Sequence, residues 1–172
     1  MIMKINSYNW VKHNWRGVIF IDPYAMEFSW QSLEEISKTK IFDVWYLFPY
    51  YATNRNLYKN ISEMPQANKD KITSILGTND WIGELYKPSI QMNLFGEAVL
   101  EKQAASEIKQ YVIKRFNTIF PTVSSEAVLL RNEHNSPMFL LCFMGSNHNP
   151  AAKTTSLRIA DAILKNTAME RV

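Results

Sequence analysis

The sequence is short of the residues that build many familiar sites. Only Cys142 is a cysteine, so an internal disulfide is excluded. The three histidines, His13, His134 and His148, are scattered, and with one cysteine they form no metal-ligand spacing. Glycine is scarce: Gly17, Gly77, Gly83, Gly96 and Gly145, no two of them in a G-x-G spacing. A turn at which backbone closely approaches a nucleotide cofactor needs small residues close together, and no stretch supplies it. Long apolar runs are missing too. Met138 to Met144 is the longest, far below the ~20 residues that span a bilayer. Cys142 lies inside that run and reads as a buried thiol rather than a nucleophile. The N-terminus, Met1-Ile2-Met3-Lys4, has no signal-peptide apolar region, so a cytoplasmic location is expected. Nor is there a strong charge of one sign. The formal net charge is +3, which permits a nucleic-acid partner without demanding one.

Aromatic residues are plentiful, with five Trp, eight Tyr and nine Phe. The 172 residues suffice for a single domain, 1–172, with a sizeable core. Residues 1–16 read as an irregular aromatic arm with at most one helical turn. The run Val18-Ile19-Phe20-Ile21 reads as a strand, 18–22, buried on both faces and ended by Pro23. Asp22 then stands at the carboxyl end of that strand, where ligands bind in open α/β sheets. Ser32 and Glu35 have capping-box spacing, with Ser29 a competing cap, for a helix reaching about Lys40. Phe42 to Phe48 reads as a second strand ending at Pro49. Strand, helix, strand makes a βαβ unit with parallel strands.

Residues 50–64 carry weak signals, with a short helical candidate near Leu57. Pro65 and Gly77 bracket a helix. Trp81 to Tyr86 reads as a short turn, and 97–117 as a longer helix after Gly96. Its Lys109, Lys114 and Arg115 read as a solvated face. Residues 127–130 and 138–143 read as an antiparallel hairpin, its polar tip running from Arg131 to Pro137. Asn149 and Pro150 start a final helix whose Ala152, Ser156, Ile159, Ala160, Ile163 and Leu164 are expected to face the core. The class is α/β: parallel strands plus a C-terminal antiparallel hairpin, flanked by helices.

Asp22-Pro23-Tyr24 resembles the Asp-Pro-(Pro)-aromatic motif of amino-group methyltransferases. It is close to an Asp-Pro-Phe-Gly form, with Ala25 where that form has glycine. The order of elements likewise resembles the second half of a Rossmann-like methyltransferase, whose last strand inserts antiparallel between its predecessors. The match is with the bacterial three-Cys-motif partner family. It runs through Arg16 to Tyr24, Trp30 to Lys40, Asp43 to Pro49, Asn54-Arg55, Leu94-Phe95-Gly96, Leu130-Arg131-Asn132, Pro137 to Phe143, and Asn147. The resemblance implies S-adenosylmethionine as methyl donor and a nucleic-acid amine as acceptor. Asp22 and Pro23 would hold the amine and Tyr24 would stack the base. Asn54, Arg55, Arg131, Asn132 and His134 would share the rim. Each has a plainer role open to it: a turn for Asp22, wall for Tyr24, solvated loop or tip for the others. His148 falls away from the rim.

Full members of that family carry a cofactor-binding half ahead of these motifs, and residues 17–172 resemble only the C-terminal half. Two functions therefore remain open. One is a truncated or split methyltransferase that needs the other half and does not bind the cofactor alone. The other is a non-catalytic interaction protein derived from that fold. Either way the Val18–Ile21 strand is expected to become an open edge. The chain is then expected to be a homo-oligomer, or to bind a partner protein, along that side.

Overall fold

The computed structural model describes residue 10 and residues 15–92 and 98–169. Two sheets and the helices around them make up most of the described residues. The main sheet holds β1 (Gly17–Ile21), β2 (Phe42–Phe48), β5 (Thr122–Val123), β6 (Val128–Arg131) and β7 (Pro137–Gly145). β1 and β2 are parallel, Ile19 opposite Val44. β7 runs antiparallel to β2, and β5 and β6 share its far side, β6 against Pro137–Leu141 and β5 against Met144 and Gly145. β7 is thus inserted antiparallel between β2 and β6, and among the described residues β1 is an edge. The fold is mixed α/β with flanking helices.

Local chemistry sets the element ends. Helix α1 (Trp30–Lys38) is capped by Ser29, whose side chain accepts from the Ser32 N–H at 3.4 Å, so Ser29 rather than Ser32 is the cap. After α2 (Tyr50–Asn56) and a 3₁₀ turn at Ile61–Glu63, helix α3 (Gln66–Leu76) follows Pro65 and stops at Gly77, which takes the left-handed φ of 72°. A Cβ there would lie 2.1 Å from the Trp30 ring, so this end admits only glycine. Helix α6 (Pro150–Met169) starts where Asn149 Oδ1 accepts from the N–H groups of Ala151 and Ala152, at 3.0 and 3.2 Å.

The core lies on one face of the sheet. Leu33 and Ile36 of α1, and Ile108, Val112 and Phe116 of α5 (Ala105–Phe116), cover Val44, Tyr46 and Phe48 of β2 and Leu140 and Met144 of β7. Each such side chain contributes about 1.5–3 kcal/mol when fully buried. Trp30 stacks on Phe116 with centroids 6.1 Å apart. Ser146 fastens the foot of β7 to β2: its hydroxyl donates to the Phe42 carbonyl and accepts from the Phe42 N–H, both at 2.9 Å. The opposite face is covered only in part. There α6 packs on β5, β6 and β7, with Ala160 and Leu164 against Phe143 and Trp45.

Four expectations are corrected. Residues 98–102 are not the start of a helix. They form β4 (Ala98–Lys102), antiparallel to β3 (Tyr86–Met92), and α5 begins only at Ala105. The sequence Ala-Val-Leu-Glu-Lys suits either state, and the hairpin partner after α4 (Trp81–Leu85) decides; Gly96 lies outside the described residues. β1 is not buried on both faces: Val18 and Phe20 are 68% and 61% exposed, because no helix among the described residues reaches over them. For the same reason Ile159 and Ile163 of α6 face outward. Arg115 is no solvated residue. Its Nε donates to the Leu76 carbonyl at 2.9 Å and its guanidinium lies 4.6 Å over the Trp30 ring. Of the arm, residues 1–9 and 11–14 lie outside the described residues. Trp10 packs edge-on against Phe42 and Trp15.

Candidate functional site

Three segments rise at the carboxyl ends of β1, β2 and β6: Asp22 to Glu27, helix α2, and the hairpin tip from Arg131 to Ser136. The first is set by the pairing of β1. The Gly17 N–H donates to the Ile41 carbonyl at 3.3 Å, so odd-numbered residues of β1 donate toward β2. Position 23 is next in that series, and proline has no N–H, so the ladder ends at Ile21. Asp22 emerges exposed, without a hydrogen-bond or ion-pair partner among the described residues. Tyr24 is 82% exposed. The Glu27 N–H closes a turn onto the Tyr24 carbonyl at 3.2 Å, with Ala25 at a φ of 49°. A left-handed backbone at a residue with a side chain is strained. This is the position where the resembling motif has glycine.

In α2 the two rim candidates part company. Asn54 is tied down: its carbonyl and Oδ1 each accept from Lys102 Nζ at 3.1 Å, and the Leu57 carbonyl accepts from the same ammonium at 3.0 Å. Lys102 thereby caps the C-terminus of α2 from β4. Burial lowers its pKa below the usual lysine value. No spacing or motif marks this lysine in the sequence, because its position depends on the β3–β4 hairpin. Arg55 is exposed and lines a hollow of about 360 Å³ with Tyr51, Asn56, Tyr58 and Asn68.

The hairpin tip organises itself. Arg131 Nη1 donates to the Asn135 carbonyl at 2.8 Å, and Asn132 Oδ1 accepts from the His134 and Ser136 N–H groups at 3.1 and 2.9 Å. His134 faces Glu133 at 3.5 Å in full solvent. Arg131 also acts on buried Tyr50: burial raises the phenol's pKa and the guanidinium partly offsets it. The tip is therefore brought to α2. Arg131 and Asn132 further line a hollow of about 950 Å³ with Lys109, Glu126 and Lys165. Asp22, Tyr24 and Asn54 line neither this hollow nor that of Arg55. Cys142 is fully buried, and burial pushes its thiol well above the ordinary range.

The described glycines offer no cradle for a nucleotide cofactor. A Cβ on Gly17 would meet the Phe42 ring at 2.6 Å, one on Gly77 the Trp30 ring, and one on Gly145 the Asp43 carboxylate at 3.1 Å. The chain's own side chains fill those spaces, and Gly83 stands open on a helix surface. Among the described residues no cluster of His, Cys, Asp and Glu is placed to hold a metal, and no helix is long and apolar enough to cross a membrane. Comparison with protein-family models, curated proteins and solved structures finds no match for this chain.

Proposed function

We propose that this chain is a binding module built on the C-terminal half of a Rossmann-like, methyltransferase-type sheet, and that alone it acts by association rather than methyl transfer. The observation that carries this is the open side of β1, an apolar edge strand with Val18 and Phe20 exposed. The insertion of β7 between β2 and β6 supports the methyltransferase-type origin, as the resemblance to three-Cys-motif partner proteins implies. The rim supports association over catalysis. Asp22 and Tyr24 stand in solvent, Pro23 is half-buried, Asn54 is held by Lys102, and Arg131 and Asn132 order their own turn. The proposed location is the cytoplasm.

A second reading is a split methyltransferase acting on a nucleic-acid amine. A complementary half pairing along β1 would then supply the S-adenosylmethionine site. The left-handed Ala25 favours it, since strain of this kind collects at functional turns. Isothermal titration of the chain alone with S-adenosylmethionine tests the first reading, and methyl transfer on adding a complementary half would favour the second. No binding is expected on the order of tens of micromolar. Clear one-to-one binding would overturn the association reading.

A further inference from the structure

We infer that the chain pairs with a second copy of itself, β1 against β1 and antiparallel, about a two-fold axis at Ile19, with Arg16 of each copy opposite the partner's Asp22. This rests on the reading of the chain as a binding module and names its partner.

The backbone of β1 is the first argument. Gly17, Ile19 and Ile21 direct their N–H and C=O groups at β2, so Val18 and Phe20 direct theirs away from the sheet. Nothing in 17–21 blunts this edge: there is no charge, no proline and no bulge. Two such edges meet in antiparallel register only when outward groups face outward groups. Centred on Ile19, Val18 stands opposite the partner's Phe20, and the pair exchanges N–H···O=C bonds in both directions.

The side chains are the second argument. Val18 and Phe20 lie in register with Asp43 and Trp45, on the face that α6 covers over β5 to β7 but leaves bare over β1. In this pairing each exposed Val18 gains the partner's Phe20 as its cross-strand neighbour, and exposed Ile159 of α6 lies across a groove from Val18.

Charge chooses the register. Arg16 and Asp22 flank the strand, and continuing its period of two would carry both to the face of Val18 and Phe20. Arg16 Nη1 donates to the Lys40 carbonyl at 3.3 Å and its charge acts on Asp43, the register partner of Val18. In the dimer the guanidinium would turn to the partner's Asp22. Centring on Ile19 opposes them in two symmetric pairs. Centring on Val18 would set Arg16 against the partner's Phe20, and centring on Phe20 would set Asp22 against the partner's Val18. The described part of the arm does not compete for this edge, since Trp10 and Trp15 gather at Phe42, which faces the main core.

Sedimentation velocity on the chain at about 100 µM should give a dimer. Val18→Pro removes an outward N–H without touching a bond to β2, and should give a monomer with unchanged far-UV circular dichroism. Arg16→Glu and Asp22→Arg should each weaken the dimer about tenfold or more by setting like charges opposite each other. Mixing those two variants should restore a heterodimer, because Glu then faces Arg on one side and Asp faces Arg on the other. A monomeric wild type, a dimer indifferent to Val18→Pro, or single variants that fail to associate when mixed would each overturn self-pairing. A wild-type monomer that binds a methyltransferase-type N-terminal half along this edge would overturn self-pairing and favour the split-methyltransferase reading. The cofactor titration tests the binding-module reading separately.

Discussion

Left-handed backbone marks the places where single residues decide most. Gly77, Ala25, Lys40 and Asn135 all have positive φ, yet only the first is a glycine. Gly77 was legible in the sequence because a glycine after an apolar helical stripe signals a helix end. Ala25 and Lys40 were not, because alanine and lysine normally avoid that conformation, and only their surroundings hold them there. The two cases should respond oppositely to substitution. Ala25→Gly should stabilise the chain by about 1 kcal/mol through release of strain. Gly77→Ala should cost roughly 2–5 kcal/mol, because it adds strain and drives a methyl into the Trp30 ring. Urea midpoints of the two variants check both signs.

At the scale of elements, β1, β2, β6 and β7 were read well, whereas β5 and the middle of the chain were missed. β2 and β7 are nearly continuous apolar runs bounded by prolines or polar turns, and such runs leave little choice. The β3–β4 hairpin was missed because its strands carry lysine, glutamate and proline, and mutual pairing rather than hydrophobic period defines them. The rim shared that fate. Asp22 to Tyr24 could be placed from the strand and its proline, whereas the tie from Asn54 to Lys102 crosses to the unread hairpin. Arg115 was misread for a similar reason. From α5 it reaches the last carbonyl of α3 and covers the Trp30 ring of α1, so it joins three helices. Arg115→Ala removes a charge-assisted hydrogen bond and a cation–π contact, and should destabilise by about 2–3 kcal/mol. Arg115→Lys, which keeps the charge but loses the planar fork, should recover only part of that, as read from thermal midpoints.

Across the whole molecule, buried phenols make the fold sensitive to alkali. Burial pushes Tyr111 up to about 12, and raises Tyr46 and Tyr86 as well. An unfolded tyrosine titrates near 10. These groups therefore contribute stability that is intact below about pH 10 and is lost as pH climbs through 12. Burial lowers Lys102, which works the other way, but it is a single group against several. The Tyr86 hydroxyl donates to the Tyr58 carbonyl at 2.7 Å, whereas the Tyr46 and Tyr111 hydroxyls find no partner among the described residues. Tyr46→Phe with Tyr111→Phe should hold or raise stability at pH 8 and flatten its fall between about pH 10 and 12. Urea titrations across that range would show it, and a double variant as alkali-sensitive as the wild type would refute it. The placement of β7 has a further consequence, in time rather than in space. The strand that bridges β2 to β5 and β6 is the last strand of the sheet to be made. From the moment β2 leaves the ribosome until Gly145 follows, the β1–β2 pair waits for its neighbour. At about 5–20 residues per second that wait is roughly 5–20 s. For that interval the most apolar strands of the chain have no sheet to join, so assistance during synthesis matters more for this protein than its modest length suggests.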